Sequence, residues 1–173
     1  MSDFNVGAGV KAPRKLLKHY VDVGTAEKPE WELLGKGIED SAIDLNPEKE
    51  ESTDILGNNE TSVKGWKPSQ SFDPFTVRGG SKLALKLHEI WMNNTPELLS
   101  QFRMLTVYSY VGDTNTGYDA DLQENCTISP TKIGGSAYVD MPIEVSYSNS
   151  RTRGTVKYVD KVPEFTAKTT DAE

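Results

Sequence analysis

Residues 101–111, QFRMLTVYSYV, carry the strongest strand pattern of the sequence. Aromatic and β-branched side chains, which favour strands, fill most of this stretch. Successive side chains of a strand point to opposite faces, and here both faces are apolar, with Phe102, Met104, Tyr108 and Tyr110 on one and Leu105, Val107 and Val111 on the other. The pattern therefore predicts a strand that is covered on both sides.

The residues before this strand follow a helical period instead. After the start signal at residues 79–81 (GGS), apolar residues recur at the spacing of a helix face, at Leu83, Ala84, Leu87, Ile90 and Trp91. Asn93, Asn94 and Pro96 then end the pattern. We predict an amphipathic helix at about residues 82–93 that packs its apolar stripe, Trp91 included, against a sheet.

Further strand patterns lie on both sides of this pair. Ile43 and Leu45 alternate with polar residues, and residues 139–147 alternate regularly around Pro142, which favours an edge strand or a bulge there. Residues 155–162 would return from it as the second strand of a hairpin. The fold class predicted from these patterns is mainly β and antiparallel, with one flanking helix.

Residues 47–60 break the alternation. They are polar and acidic, and Ile55 and Leu56 are the apolar exceptions. This composition predicts a long loop, and ordered loops of such length in a compact domain are usually functional.

Length and composition limit the possible functions. The 173 residues fit one domain with extended arms, and 19 basic against 26 acidic residues leave a net charge of −7, unlike a protein that grips nucleic-acid backbone. No apolar run approaches the roughly 18 residues of a membrane span.

Residues 1–10 lack the apolar stretch of a secretory signal, and Cys126, the single cysteine, cannot form an intrachain disulfide. We therefore expect synthesis in a reducing compartment.

The charge is unevenly distributed along the chain. Residues 1–26 carry four bases (Lys11, Arg14, Lys15 and Lys18) and two acids, whereas residues 27–60 carry eleven acids and three bases. The four bases would form one stripe if this arm were helical. Two interpretations remain open, since these are either solvated stretches of unlike charge or a basic arm that attracts the acidic segment of another copy.

Candidate chemistry is sparse. His19 and His88 are far apart and there is one cysteine, so the chain lacks zinc-ligand spacing and a catalytic constellation, and we expect a non-enzyme without a cofactor. Asp113, Asn115 and Glu124 imitate a calcium loop, but Gly117 and Tyr118 break its pattern. A polar loop between strands is the simpler interpretation of residues 112–124, with a cation site as the alternative.

The order of several short motifs is more informative than any one of them. The motifs are KHYVDV (18–23), EWELLGKG (30–37), IDLNPE (43–48), ILG (55–57), VKGWKPS (63–69), MPIEVSY (141–147), GTV (154–156) and FT (165–166). Over about residues 15–166 this order resembles the major tail tube proteins of long-tailed bacteriophages, particularly the non-contractile kind.

The resemblance implies a β-sandwich or barrel with a flanking helix, assembled as hexameric rings that stack into a tube. Double-stranded DNA would pass through this tube into the bacterial host without specific binding. The chain would divide into an N-terminal arm (1–17), a tail-tube β domain (18–166) and a C-terminal tail (167–173). Its partners would be further copies and the tape measure, tail terminator and distal tail proteins, with no membrane. It would be made in the host cytoplasm and reside in the virion tail.

The resemblance also suggests where contacts would lie. Inter-ring contacts would come from Pro47, Glu48, Glu50, Glu51, Asp54, Ile55 and Leu56, opposed by the basic arm residues Lys11, Arg14, Lys15 and Lys18. Asp140 and Glu144 would face the lumen. The alternatives are a tube of a contractile phage-tail-like particle and a β-sandwich module that binds a receptor or glycan.

Overall fold

The computed structural model describes residues 3–169, so residues 1–2 of the predicted arm and 170–173 of the predicted tail lie outside it. The strands are β1 (Leu17–Asp22), β2 (Trp31–Leu34), β3 (Ile43–Asp44), β4 (Pro47–Thr53), β5 (Asn59–Trp66), β6 (Ser69–Phe72), β7 (Phe102–Asp113), β8 (Gly117–Pro130), β9 (Ile143–Ser146), β10 (Arg151–Val159) and β11 (Val162–Ala167). One α-helix, α1 (Lys82–Asn93), and 3₁₀ turns at Arg14–Leu16 and Pro96–Ser100 accompany them.

A curled antiparallel sheet of nine strands forms the body of the protein. Its main path is β2-β1-β7-β8-β9-β6-β3, and β10 and β11 branch from β8. The long strand β8 supports both branches, because its residues 118–123 pair with β10 and its residues 127–130 pair with β9. Asn125, in the left-handed conformation with φ of 54°, lies between the two pairings. The predicted class, mainly β and antiparallel with one helix, is confirmed.

The strand at residues 101–111 is covered on both faces, as predicted. One core packs between the sheet and α1, and it includes Phe102 and Met104 of β7. A second, smaller core on the opposite face includes Leu105 and Val107. These four side chains are almost fully buried.

Helix α1 has the predicted bounds and cap. The Ser81 hydroxyl accepts a hydrogen bond from the Ala84 amide at 3.2 Å, and Asn94 ends the helix with φ of 53°. Leu83, Ala84, Leu87 and Ile90 are buried. The predicted burial of Trp91 is wrong, since this side chain is 68% exposed: the buried stripe ends at Ile90, and the last turn extends beyond the core.

The strand pairing predicted for the last third of the chain is wrong. Strand β9 lies between β8 and β6, so it is not an edge strand, and β10 pairs with β8 and β11 and not with β9. Pro142 precedes β9, which leaves the ladder intact on both sides. Alternation predicted the buried face correctly for Met141, Ile143, Val145 and Tyr147, which are buried, but not for Val139, which is 53% exposed. It also does not specify which strand lies alongside.

The long loop predicted at residues 47–60 is also wrong. These residues belong to a β-hairpin, β4 and β5, which forms a sheet of its own. Apolar alternation marks strands with one buried face, and this hairpin is exposed on both faces, so its strands lack that signal.

Candidate functional site

The hairpin at residues 47–66 projects from the domain. It is paired from Pro47 opposite Trp66 to Thr53 opposite Asn59, and every residue except the half-buried Gly65 is exposed. Seven strand residues at about 3.3 Å each give a projection of roughly 23 Å. A two-stranded hairpin without a covered face is only marginally stable in water. This surface is therefore suited to being covered by another molecule.

The tip of the hairpin is held by one carboxylate. Asp54 Oδ1 accepts hydrogen bonds from the amides of Leu56 (2.8 Å) and Asn58 (2.9 Å), and the Asn58 side chain donates to Oδ2 at 2.8 Å. These bonds, led by the one from the Asn58 side chain, lower the pKa of Asp54, which stays charged. The turn presents Ile55 and Leu56 outward, at 102% and 82% exposure.

The outer part of the hairpin is strongly acidic. Residues 50–63 contain four acids and no base. Nearer the base, Glu48 pairs with Lys67 at 2.6 Å and Glu50 with Lys64 at 2.8 Å. The remaining acids of this outer part, Glu51, Asp54 and Glu60, form no salt bridge within residues 3–169. The seven predicted inter-ring residues thus lie together on one exposed, negatively charged element.

The base of the hairpin is anchored to the main sheet by Asn46. Its side chain donates to the Lys67 carbonyl at 3.1 Å and to Ser69 Oγ at 3.2 Å. The Lys67 amide donates to the Asn46 carbonyl at 3.2 Å. These bonds fix the direction in which the hairpin leaves the domain.

The basic arm does not form the helical stripe that its spacing allows. A short 3₁₀ turn, Arg14–Leu16, follows Pro13, and Lys18 already belongs to β1, which pairs with β7 from Leu17 onward. Strand pairing therefore overrides the helical spacing. Arg14 is held by the carbonyls of Leu17 (2.6 Å) and Ser41 (2.8 Å).

A groove of about 570 Å³ lies beside this arm, and we call it the arm groove. Its lining contains four bases (Arg14, Lys15, Lys18 and Lys36) and a single acid, Glu39. The Lys18 ammonium lies 4.9 Å from the centre of the Tyr158 ring, so Arg14, Lys15 and Lys36 supply the positive charge of the groove. Its apolar lining consists of Leu17, Leu33, Leu34, Ile38 and Phe72. Lys11 does not line it. Sequence reasoning missed Leu33 and Lys36, which follow the arm by 15 residues or more and reach it through the pairing of β1 with β2.

His19 is buried and lines the arm groove. Its Nδ1 is 3.3 Å from Thr106 Oγ1, and its Nε2 is 3.4 Å from Arg14 Nη2. Burial, reinforced by the Arg14 charge, lowers the pKa of His19 to about 4. The ring is therefore neutral at neutral pH, and the groove owes its positive charge to the arginine and the lysines.

Acid is expected to destabilise the fold through His19. Its folded pKa of about 4 lies below the ordinary 6.5, so the unfolded chain binds the proton more readily. The stabilisation is complete above pH 6.5 and is lost as the pH falls toward 4, by about 2–3 kcal/mol. Urea unfolding at pH 7.5 and 4.5 should show a larger loss in the wild type than in His19→Gln. Equal losses in both proteins would contradict this expectation.

One exposed face of the sheet is polar and lacks basic residues. In β3, β6, β9 and residues 127–130 of β8, the side chains on this face are Asp44, Ser69, Ser71, Thr127, Ser129, Glu144 and Ser146. We call it the serine face. Within these four segments neither strand face carries Lys or Arg.

The two predicted lumen residues differ in their surroundings. Glu144 is exposed on the serine face, opposite Ser71 and Ser129 in the ladder. Asp140 lies outside β9, is half-buried, and accepts a hydrogen bond from Thr76 Oγ1 at 2.7 Å. The structure therefore does not bring them onto one strand.

The loop predicted at residues 112–124 is wrong, because β7 runs to Asp113 and β8 begins at Gly117, which leaves residues 114–116 as the turn. The residues that imitate a calcium loop are not brought together. Asp113 Oδ1 accepts from the amides of Asn115 (2.6 Å) and Thr116 (2.7 Å) in a tight turn, while Glu124 lies seven residues into β8. Within residues 3–169 no three acidic, histidine or cysteine residues cluster as metal ligands. Burial raises the pKa of the Cys126 thiol, and His88 is exposed on α1. None of the described helices combines the length and apolar character needed to cross a bilayer.

No protein-family description and no curated protein matches the chain. Among solved structures, this chain is similar to a chain of the sheath/tube terminator of PVC, an extracellular contractile injection system, in the extended state. The sequence identity is 12%, the alignment covers 85% of this chain and 99% of that chain, and the TM-score is 0.50. A chain of the tube-terminating cap of the anti-feeding prophage has 14% identity, 87% and 95% coverage and a TM-score of 0.49. A chain of the PVC sheath–tube complex has 11% identity, 86% and 95% coverage and a TM-score of 0.49. At 12% identity, the first likeness shows a shared fold.

Proposed function

We propose that this protein is a structural subunit that polymerises as stacked hexameric rings into a tail tube, the conduit of a phage or phage-tail-like particle. The observation that carries the proposal is the exposed hairpin at residues 47–66. Its tip exposes Ile55 and Leu56 almost completely, and within residues 3–169 its two strands pair only with each other. A neighbouring subunit would cover it in the assembled state.

Open sheet edges support the same conclusion. In the described chain β2, β3 and β11 each pair with one strand only. Such edges can pair with another chain. Large apolar side chains are exposed elsewhere too, among them Trp91, Met92, Tyr138 and Val162. Repeated subunit contacts would cover these edges and side chains, and the proposal needs no catalytic residue.

The serine face is the best candidate for the wall of the channel. It lacks basic residues and carries Asp44 and Glu144, so a passing phosphate backbone would find no cation to bind. Like charges at close range also repel. Glu144 is thus proposed to face the lumen, with Asp140 at the rim of this wall, and DNA would pass without specific binding.

The fold likeness to the PVC sheath/tube terminator supports a role in particles of this general kind. It favours the contractile alternative over the non-contractile tail that the sequence motifs suggest. In either case, the partners would be further copies of the chain together with tape measure, terminator and distal tail proteins. Assembly would take place in the bacterial cytoplasm.

The size distribution of the purified protein tests this proposal. Sedimentation velocity over a range of concentrations should show rings and heterogeneous, fast-sedimenting polymers, since a stacking interface does not close on itself. A β-sandwich module that binds a receptor or glycan would remain a small, discrete species. That outcome at every concentration would contradict the tube proposal.

A further inference from the structure

We propose that the hairpin tip of one subunit docks into the arm groove of a second copy of this chain. This inference rests on the proposed function and specifies the contact by which rings would stack. The tip consists of residues 51–60, with Ile55 and Leu56 at its apex. The groove is the one lined by Arg14, Lys15 and Lys36.

Charge complementarity identifies the occupant. The tip carries Glu51, Asp54 and Glu60 and no base, whereas the groove carries Arg14, Lys15 and Lys36 against Glu39. Asp54 remains ionised because its carboxylate is hydrogen-bonded in the turn. Opposed patches of this kind steer association and set its register.

Apolar complementarity supplies the rest of the contact. Nothing within residues 3–169 covers Ile55 and Leu56, which are 102% and 82% exposed. The arm groove offers Leu33, itself 53% exposed, together with Leu17 and Ile38. Its volume of about 570 Å³ falls within the range of small-molecule sites, roughly 300–1,000 Å³, which is ample for two aliphatic side chains.

The geometry requires that the tip and the groove come from different copies. Ser41, whose carbonyl binds Arg14 in the groove wall, precedes β3 and therefore lies near the base of the hairpin. The tip lies roughly 23 Å from that base along a regular ladder, and Asn46 anchors the base. A tip at one end and its receptor at the other make a head-to-tail contact, which repeats without closing and so extends a stack.

Cysteine cross-linking tests the contact directly. Leu56→Cys and Leu33→Cys are combined in one chain, in which the native Cys126 is buried. The control combines Leu56→Cys with Val162→Cys, because Val162 is 53% exposed, as Leu33 is, but lies in β11. With a short bismaleimide the first pair should give a ladder of covalent multimers, and the control pair should give at least about tenfold less.

Micrographs of the same samples separate this inference from the proposed function. If tubes form but the Leu56–Leu33 cross-link does not, the proposed docking contact is wrong and the proposed tube function stands. If the cross-link forms but tubes do not, the result supports the docking contact and contradicts the proposed tube function. Neither tubes nor cross-link would overturn both.

Charge reversal provides an independent test. Glu51→Lys with Glu60→Lys, or Lys15→Glu with Lys36→Glu, should each weaken self-association roughly tenfold. A mixture of the two double variants should recover it, because each reversed surface then meets a complementary one. The controls Glu27→Lys with Glu97→Lys, and Lys132→Glu with Lys161→Glu, change the net charge equally at exposed sites elsewhere and should have little effect. Failure of the mixture to recover association would overturn the proposal.

Discussion

Replacing residues 50–62 with an Asn-Gly turn is expected to abolish polymerisation and to leave the subunit folded. Among the residues that the structure describes, the hairpin shares no core with the rest of the chain, since β4 and β5 pair only with each other and are exposed. Lys49 and Val63 are opposite each other in the ladder, and a two-residue Asn-Gly turn suits that position. The truncation therefore removes the docking element without opening the sheet.

Electron microscopy measures whether the truncated subunit polymerises, and thermal unfolding measures whether it stays folded. The truncated subunit should unfold at nearly the wild-type temperature but form no tubes. A control with Ser52→Ala and Thr61→Ala keeps the hairpin length and the tip, and it should polymerise normally. Tubes of normal length from the truncated subunit would show that the hairpin does not join rings.

Leu87→Ala is expected to cost about 2–5 kcal/mol of unfolding free energy. Leu87 is 0% exposed and belongs to the core between α1 and the sheet, together with Phe102 and Val145. Its truncation leaves a cavity that the surrounding strands cannot fully close. Urea denaturation of the disassembled subunit measures the loss.

Leu85→Ala is the matched control for this substitution. The same residue type stands two positions away on the same helix but is 58% exposed. Its replacement should change stability by no more than about 0.5 kcal/mol. A similarly small loss for Leu87→Ala would show that α1 does not pack as described.

Local periodicity explains which parts of the fold were predictable. The helix at residues 82–93 and the strand at 101–111 each have a period that one segment can display by itself, and the structure confirms both. Burial along residues 141–147 followed alternation for the same reason. The partner of each strand is a long-range choice, so the positions of β9 and β10 were not predictable from alternation.

The candidate sites were predictable to different degrees. The acidic composition around Ile55 and Leu56 singled out a segment that is exposed in the structure, and its role in ring contacts stays a prediction. Its hairpin structure was not predictable, because the exposed strands lack an apolar signal. The arm groove was not predictable, because Lys36 and Leu33 join Arg14 only after β2 pairs with β1. Asp140 and Glu144 are four residues apart, so both side chains would point to the same face if they belonged to one strand. In the structure β9 begins at Ile143, and Asp140 lies before it, hydrogen-bonded to Thr76.

A cryo-EM reconstruction of the polymer formed by the purified wild-type chain would show whether this subunit builds a tube. We expect closed rings of six subunits, stacked around a central channel, with the serine face toward the channel and each hairpin extending to the next ring. A sample that contains only separate subunits or small closed oligomers without a channel would contradict it.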